Sequence, residues 1–372
     1  MSEWKEVKLY DIMSFTNGKK RPYTDGAVPV YGGNGILAYS STSNFTTCII
    51  IGRVGAYCGN VFYEKNRCWV SDNAIAAKNK ENNSIQYCYY LLKSLKLNER
   101  HIGTSQPLLT QEILNKITVK IPTFKMQQQI VKVLSTLDDK IELNTQINHN
   151  LEEQAKAIFK SWFVDFEPFQ NGKFVDSELG KIPQGWECVS FENFLLPRNE
   201  KSSDSTLQMY AVTDHGITKR ENKFHKKLSK SETKNKVFYS GDLVFGMSRE
   251  ILNWGIMHDA VGGVSSAYNI YEITKGIDPL FVEFYMYSNQ VYFQDLIRPA
   301  TREGQGIDKG ALARKKLIYP PVHIWNGIKQ MLSLFAEKRE STNNEIADLI
   351  ELRDSLLPKL MSGEIDVSEV EI

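Results

Sequence analysis

The chain contains only incomplete versions of the sequence motifs that common enzyme classes use for catalysis. The stretch "IYPPV" from Ile318 has the paired prolines of amino-methyltransferases but not their leading polar residue or closing aromatic, so a strand leading into a helix is the simpler interpretation. Glu221, Asn222 and Lys223 supply the ExK half of a nuclease motif, without a suitably spaced proline–aspartate pair upstream. The glycines of "VYGGNGILAY" from Val30 lack the GxGxxG spacing, and the six histidines lack zinc-site spacing. We therefore expect no catalytic residue and no metal or cofactor bound by this chain.

A second group of residues has the hydrogen-bonding chemistry of nucleic-acid recognition. Arg pairs with guanine edges and Asn or Gln with adenine edges, whereas Lys, Ser and backbone N–H groups mostly hold phosphates. In turn-rich segments the candidates are Lys19, Lys20, Arg21, Tyr31, Asn34, Arg53, Arg100, His101, Thr104, Ser105 and Gln106, and later Lys219, Arg220, Lys223, His225, Lys226, Lys227, Arg249, Arg302 and Gln305. For any one of these Lys or Arg residues, a solvated surface charge is the alternative.

Composition is that of an ordinary soluble protein, with 42% hydrophobic and 24% charged residues. No apolar run is long enough to span a membrane, and "MSEWKEVKLY" lacks the apolar core of a secretion signal. The five cysteines form no CxxC pair, which favours buried free thiols in a reducing compartment. These features predict a cytoplasmic protein.

Charge is distributed in blocks, although the formal net charge is only +1. Residues 1–120 carry a net +6 and residues 181–320 a net +3, whereas 121–180 carry −3 and 321–372 carry −5. Basic blocks suit a polyanion, and acidic segments suit contacts with protein. Chance is the alternative for excesses of this size.

The chain is an internal repeat, which must be recognised before any fold is assigned. "WKEVKLYDI" from Trp4 resembles "WECVSFENF" 182 residues later, and "CIIIGRVG" from Cys48 matches "DLVFGMSR" 194 residues later. Ile121-Pro122 corresponds to Tyr319-Pro320 at an offset of 198. Constant offsets within elements, with jumps between them, indicate a duplicated domain whose loops have diverged.

Residues in alternating steps of four and three mark two long helical seams. The first comprises Ile130, Leu134, Leu137, Ile141, Asn144, Asn148, Leu151, Ala155, Ile158 and Trp162, and the second Ile328, Leu332, Phe335, Arg339, Thr342, Ile346, Leu349, Arg353, Leu356 and Leu360. Each member of the second lies 198 residues after its counterpart. Narrow seams of this kind predict two helices packed as a coiled coil.

The linker between the halves favours antiparallel helices. Each helix spans roughly 57 Å, and the 17 residues 169–185 reach at most about 58 Å when fully stretched, so parallel packing leaves no slack. In the antiparallel register Asn148 meets Thr342, and Asn144 lies near Ile346. Arg339 and Arg353 interrupt the second seam; we interpret them as tolerated at helix surfaces, with pairing to acids of the first helix or contact with a partner as alternatives.

The predicted fold is therefore α+β, with two pseudo-twofold-related globular domains, each followed by a long helix. The predicted boundaries are 1–120 for the first domain, 121–168 for the first helix, 169–185 for the linker, 186–320 for the second domain and 321–372 for the second helix. Two basic domains held apart by a rigid spacer suit grooves of B-DNA that repeat about every 34 Å. Because the halves differ in sequence, the expected target is a split, asymmetric site with an unread gap.

The whole chain resembles the specificity subunit of type I restriction–modification systems, HsdS. The resemblance is carried by "KIPTFKMQQQIVKVLSTLDDKIELNTQINHNLEEQAKAIFKSWFVDFEPF" from Lys120, by "LRDSLLPKLMSGEI" from Leu352 and by "LGKIPQGWE" from Leu179. It implies that the globular parts are target recognition domains, each reading one half of the site. It also implies that the helices are a spacer and dock two adenine-N6 methyltransferase subunits, with motor–nuclease restriction subunits added for cleavage.

The same resemblance assigns the chemistry to partners. The methyltransferase is expected to use S-adenosylmethionine and the motor ATP and Mg²⁺, while this chain is expected to be a non-catalytic subunit that binds double-stranded DNA. The alternatives are a subunit of a modification-only system or of a single-chain-nuclease type system and, in a different class, a helical scaffold that does not bind DNA. A self-contained nuclease or methyltransferase is a further rival.

Overall fold

The computed structural model describes residues 4–103, 106–202, 206–213, 216–220, 235–248, 250–297 and 306–370. The chain divides into two compact units, residues 1–146 with 341–372 (unit 1) and residues 147–340 (unit 2). Each unit contains one globular α+β part and portions of both long helices.

Two of the described helices are long, and each follows one globular part; the other helices are short and belong to the globular parts. They are α1 (Leu9–Ile12), α2 (Ile85–Ser94), α3 (Gln111–Lys116), α4 (Phe124–Phe163), α5 (Phe191–Phe194), α6 (Pro279–Ser288), α7 (Gln290–Phe293), α8 (Lys309–Arg314) and α9 (Val322–Ser362).

The strands are short, as their β-branched and aromatic runs predict. In unit 1 they are β1 (Lys5–Lys8), β2 (Met13–Asn17), β3 (Val28–Gly32), β4 (Gly35–Ser40), β5 (Phe45–Gly52), β6 (Val61–Val70), β7 (Ala74–Asn79) and β8 (Thr118–Ile121). In unit 2 they are β9 (Phe174–Ser177), β10 (Gly180–Pro183), β11 (Glu187–Ser190), β12 (Leu195–Arg198), β13 (Tyr210–Thr213), β14 (Gly216–Lys219), β15 (Lys236–Tyr239), β16 (Leu243–Phe245), β17 (Trp254–Ile256), β18 (Val261–Val264), β19 (Asn269–Ile273) and β20 (Lys316–Tyr319).

Four strands of the main sheet occur in the same order in each unit. In unit 1 it runs β2-β7-β5-β6-β3-β4, and in unit 2 it runs β12-β19-β16-β17. Adjacent strands are antiparallel except β3 and β6, which are parallel. A separate antiparallel pair joins the first and last strands of each domain, β1 with β8 and β11 with β20. The two pairs match at offsets of 182 and 198 residues, so the repeat seen in the sequence is also a repeat of structure.

Each unit has its own hydrophobic core between the sheet and the helices. In unit 1, Leu9, Tyr87 and Leu92 pack with Leu134 of α4 and Leu360 of α9. In unit 2 the core is more aromatic, and Trp325 of α9 is within 5.1 to 6.5 Å, between ring centroids, of Phe159, Phe163 and Phe281. All five cysteines are free thiols, four of them buried, as their odd number suggested.

The long helices pack antiparallel in both units. In unit 1, Asp138 of α4 binds Arg353 of α9, and Asn144 binds Glu345. In unit 2, Glu152 binds Arg339 and Phe159 packs against Trp325, so the α9 partner again has a lower number as α4 advances. All twenty seam residues are buried or half-buried. The predicted antiparallel arrangement is thus confirmed.

The segment between the long first helix and the second domain is folded rather than extended. Residues 169–185, predicted as a turn-rich linker, contain the β9–β10 hairpin. Phe169 and Trp186 at its two ends lie 5.2 Å apart between ring centroids. Among helices in the described part of the chain, none has the length and apolar character needed to cross a membrane.

Candidate nucleic-acid interface

A short turn between β6 and β7, Ser71–Asn73, draws several candidate residues of unit 1 together. The backbone N–H of Lys19 donates to Val70 just before the turn (3.0 Å), and that of Ser71 donates to Tyr31 (2.9 Å). The backbone N–H of Arg53 donates to Asn73 (3.0 Å). Three segments that are far apart in sequence therefore end at one place.

The loop before α3 docks against the same place. The backbone N–H of Leu109 donates to Arg53 (2.9 Å), and that of Gly55 donates to Pro107 (3.0 Å). Ile102 and Leu108 exchange two backbone hydrogen bonds of 2.9 Å, which close the loop that carries Gln106 and directly follows His101.

Asn34 reaches this region through the hairpin of β3 and β4. Gly32 pairs with Gly35 across a two-residue turn, so Asn34 is at its exposed tip. Gly35 has φ +91°, a conformation that glycine adopts without steric cost. A Cβ built on Gly33 would lie 3.6 to 3.7 Å from Gly52 and Asn73, which shows how closely this turn approaches the others.

We call the region formed by Lys19, Asn34, Arg53, the 71–73 turn, His101 and Gln106 the first-domain surface. Lys19, Lys20, Arg21, Asn34, Arg100 and Gln106 are exposed, and Arg53 and His101 are half-buried. Arg53 Nε, Ser71 Oγ and His101 Nδ1 are buried atoms without a hydrogen-bond partner among the described residues. Unsatisfied buried polar atoms are costly, so these three atoms would gain from a water molecule or from a rearrangement that brings a hydrogen-bond partner to them.

Tyr31 is the exception among the first-domain candidates. Its side chain is only 7% exposed, and its hydroxyl donates to a Glu64 carboxylate oxygen at 3.0 Å. Burial and then the hydrogen bond to Glu64 raise the pKa of Tyr31. Tyr31 therefore supports the surface from within the core, and its backbone carbonyl holds the 71–73 turn.

Unit 2 places its described candidates in a different setting. Lys219 ends β14, and its Nζ lies 3.2 Å from an Asp259 carboxylate oxygen that also accepts a hydrogen bond from the Tyr210 hydroxyl. Those two donors lower the pKa of Asp259. The backbone of Arg220 is bonded to Met209 and Gln208. The positive charge of Lys219 is thus balanced within the unit, unlike that of Arg53.

The remaining candidates lie outside the described residues. They are Thr104, Ser105, Lys223, His225, Lys226, Lys227, Arg249, Arg302 and Gln305. The incomplete nuclease motif at Glu221 to Lys223 also lies there. Within the described residues, no group of three or more His, Cys, Asp or Glu side chains is placed to hold a metal ion.

The contacts of Arg339 and Arg353 in the second seam decide how these two residues are accommodated. Arg353 NH1 donates to Asp138 at 2.8 Å with its side chain only 17% exposed, and Arg339 NH2 donates to Glu152 at 2.9 Å. Tolerance at the helix surface was therefore the wrong interpretation, and pairing with acids of the first helix is the right one. Asn144 binds Glu345 rather than lying against an apolar neighbour alone. The pairing of Asn148 with Thr342 stays a prediction.

Sequence reasoning missed several residues of the first-domain surface. Asp72 and Asn73 are exposed in the central turn, and Tyr57 is 48% exposed beside it. Tyr23 is 78% exposed, with the Arg21 guanidinium 5.4 Å from its ring centroid. The signal available was the polar turn "SDN" directly after the run "RCWV", which marks a strand end.

Comparisons with known proteins agree with this architecture. A family model described as the type I restriction modification DNA specificity domain matches residues 1–153. The type I restriction enzyme MjaIX specificity subunit of Methanocaldococcus jannaschii is 28% identical over 306 residues, which cover 77% of this chain and 70% of that protein. The HindI specificity subunit of Haemophilus influenzae is 52% identical over 62 residues, which cover 17% of this chain and 14% of that protein.

A solved structure shares the fold along nearly the whole length. The type I restriction–modification system S subunit from M. genitalium superposes with a TM-score of 0.60 at 13% sequence identity, covering 96% of each chain. At that identity the likeness concerns the fold alone. Together with the sequence matches, it leads to one conclusion: this chain is similar to type I restriction–modification specificity subunits over most of its length.

Proposed function

We propose that this chain gives a type I restriction–modification complex its DNA sequence specificity by reading a split site, and that it catalyses no reaction itself. The observation that carries the proposal is the first-domain surface. It combines exposed Lys19, Lys20 and Arg21 with an Arg53 that has no ion-pair partner among the described residues. Cationic side chains hold phosphates, and Asn and Arg read base edges.

The two domains are proposed to read different half-sites. The two domains share four sheet strands in the same order. The segment from β2 to β5 in unit 1 differs in length and in strand pairing from the segment from β12 to β16 in unit 2. Such segments carry Lys19, Lys20 and Arg21 in the first half and Lys219 and Arg220 in the second, so each domain offers its own donors to DNA.

The long helices are proposed to set the unread gap and to dock the methyltransferase and restriction subunits. Each has about 40 residues, α4 with 40 and α9 with 41, which corresponds to about 60 Å. A helix pair joined by both apolar seams and ion pairs is a suitable spacer, because its length changes little under thermal motion. Their acidic surfaces suit protein partners rather than DNA.

Methylation mapping tests the proposal. The chain is co-expressed with an adenine-N6 methyltransferase subunit, and methyladenine is mapped across a genome. The expected result is one split site with a fixed gap, and Arg53→Ala is expected to relax the sequence of one half-site only.

Two outcomes contradict the proposal. The first is methylation or cleavage by the purified chain alone with S-adenosylmethionine and Mg²⁺, which would make it an enzyme. The second is DNA binding that is absent, or that does not weaken with added salt as the release of counterions requires.

A further inference from the structure

In unit 1, one carboxylate joins the recognition domain to both long helices. Asp138 of α4 accepts a hydrogen bond from the Tyr90 hydroxyl of α2 at 2.6 Å through one oxygen. Its other oxygen accepts from Arg353 NH1 of α9 at 2.8 Å. Three helices therefore meet at a single side chain.

The three partners are sheltered from water. Tyr90 is 3% exposed, and the side chains of Arg353 and Asp138 are 17% and 27% exposed. Burial, then the bond to Asp138, raises the pKa of Tyr90, so its hydroxyl remains a donor. Arg353 is held in place on its far side by Asp354, through Nε at 2.9 Å and NH2 at 2.8 Å.

The repeat identifies the corresponding residues of unit 2, and none of them is polar. At the helix offset of 198 residues, Asp138 corresponds to Ala336 and Arg353 to Ala155. At the offset of 194 that relates α2 to α6, Tyr90 corresponds to Phe284. Phe284 stacks on Phe159 of α4, with ring centroids 5.5 Å apart and planes at 18°.

In unit 2, a cleft lies beside these three equivalent residues. It has a volume of about 700 Å³, and Ala155, Phe284 and Ala336 are among the residues that line it. The small side chains leave space there, whereas the equivalent junction of unit 1 holds the Tyr90–Asp138–Arg353 contacts.

Both domains share a different attachment point, at the N-terminus of the domain helix. In unit 1, Gln127 Oε1 accepts from the backbone N–H of Ser84, which caps α2. In unit 2, Trp325 Nε1 donates to Asp278, which caps α6. Gln127 and Trp325 are 198 residues apart, so the same helix position anchors both domains.

A second directional contact is therefore present in unit 1 alone among these equivalent positions. Tyr90 lies six residues beyond the capping residue Ser84, about 9 Å along the helix. Hydrogen bonds at one point allow a helix to pivot over apolar neighbours, because apolar contact is not directional. Hydrogen bonds at two separated points oppose that rotation.

We propose that Tyr90, Asp138 and Arg353 form a clamp that fixes the orientation of the first recognition domain on the helices and thereby makes the gap between half-sites strict. Asp138 is the positioning residue, and it acts on DNA only through the domain that it holds. This inference rests on the proposed function, because the gap has meaning only if both domains read DNA. The second domain, attached at one such point beside a cleft, retains rotational freedom.

The test uses the complex with its methyltransferase subunits and three DNA substrates. They carry the same half-sites with the cognate gap, or with one base pair added or removed. One base pair rotates a half-site by about 35°, so the ratio of methylation rates on cognate and altered gaps reports how strictly the domain is oriented. The triple variant Tyr90→Phe, Asp138→Ala and Arg353→Ala gives unit 1 the residues of unit 2. Its ratio is expected to fall by about fivefold or more, equivalent to about 1 kcal/mol.

Two further variants separate a clamp from general stabilisation. Tyr90→Phe removes one hydroxyl and keeps the ring packing; its ratio is expected to fall by about twofold, equivalent to about 0.4 kcal/mol, and it decides the matter if the triple variant does not fold. Lys140→Ala removes an ion pair of the same helices, with Glu345 at 3.4 Å, without touching α2. Its ratio is expected to equal that of the wild type.

The outcomes distinguish the clamp from the proposed function. If the wild-type complex methylates no split site, the proposed function fails. If it methylates a split site and Tyr90→Phe retains the full ratio, the clamp is overturned while the function stands. Slower methylation on all three substrates, with an unchanged ratio, also overturns the clamp, because that is the effect of stability alone.

Discussion

The two units share a frame, but they differ in what is built on it. β1 with β8, α1, α2 and α3 recur as β11 with β20, α5, α6 and α8, and four strands of the main sheet recur in the same order. After β2, unit 1 adds the β3–β4 hairpin to its sheet, whereas after β12 unit 2 forms the separate pairs β13–β14 and β15–β18. The frame attaches each domain to the helices, and the added segments vary. Duplication has therefore kept the attachment while the added segments have changed.

The attachment point, or anchor, at the N-terminus of α2 and of α6 shows that an equivalent contact can be made by different chemistry. Gln127 is 1% exposed and bonds three groups, the N–H of Ser84, Asn83 Oδ1 and the carbonyl of Pro122. Trp325 is 2% exposed, makes one hydrogen bond and packs in an aromatic cluster. An anchor based on hydrogen bonds and one based on apolar packing should respond differently to truncation.

Removing the aromatic anchor is expected to have the largest effect. Trp325→Ala leaves a cavity among Phe159, Phe163 and Phe281 and removes one of two α9 partners of Asp278, the other being Lys329. We expect it to lower the free energy of unfolding of unit 2 by about 3 to 5 kcal/mol. Urea unfolding, followed by fluorescence and circular dichroism, measures this change, and a loss below about 1 kcal/mol would mean that the cluster is not an anchor.

Truncating the polar anchor is expected to cost less. Gln127→Ala leaves the N–H of Ser84 and the carbonyl of Pro122 without this partner, which costs about 1 to 3 kcal/mol. The measurement is the same urea titration. A loss equal to that of Trp325→Ala would contradict the distinction drawn between the two anchors.

The cations of the two domains are expected to contribute unequally to DNA binding. Arg53→Ala removes an unpaired cation from the first-domain surface and is expected to weaken binding to target DNA by about 1 to 3 kcal/mol. Lys219→Ala removes a cation already balanced by Asp259, and its effect is expected to be below about 1 kcal/mol. Fluorescence anisotropy at several salt concentrations provides both values.

A larger loss of DNA binding for Lys219→Ala than for Arg53→Ala would contradict this comparison. Equal losses for the two variants would mean that the ion pair with Asp259 opens when DNA binds. A control for folding is the thermal midpoint, which Arg53→Ala should leave unchanged, because Arg53 Nε has no partner among the described residues to lose.

A small pH dependence is expected in unit 2. The hydrogen bond from His258 to Glu283, at 3.2 Å, raises the pKa of His258 above its ordinary value of 6.5. A raised pKa in the folded state stabilises the fold below pH 6.5, and this contribution is lost as the pH rises through the raised value. At the offset of 194, unit 1 has Glu64 and Tyr89 instead.

Thermal unfolding of His258→Gln between pH 6 and pH 9 checks this expectation. The difference from the wild type should be largest at the acid end and should shrink with rising pH. A difference that grows with pH would show that the ion pair does not stabilise the folded unit.

The frame was predictable because its signals are local. The spacing of three and four residues in the seams depends on helix geometry alone, and offsets of 182, 194 and 198 residues follow from repeated words in the sequence. Which side chains of the two long helices pair with each other was not predictable in the same way. Arg353 and Asp138 are 215 residues apart, so their meeting depends on the register of two long helices.

The candidate interface was predictable only in part. Residue type and turn-rich surroundings pointed to Lys19, Asn34, Arg53 and Gln106. The burial of Tyr31 was missed because it depends on the parallel pairing of β3 with β6, a contact between strands far apart in sequence. The central role of the 71–73 turn was missed for the same reason, since its partners come from three other segments.

The most direct test of the account lengthens the spacer and leaves the domains unchanged. Seven residues of helical repeat are inserted after Gln146 in α4 and after Glu340 in α9, the last residues of each helix before the division between units. Each insertion adds about 10 Å, or about three base pairs, and methyladenine is mapped for the complex. The account predicts two unchanged half-sites with a gap longer by about three base pairs, methylated more slowly because the half-sites are also rotated by about 100°. An unchanged gap, or a change in either half-site, would contradict it.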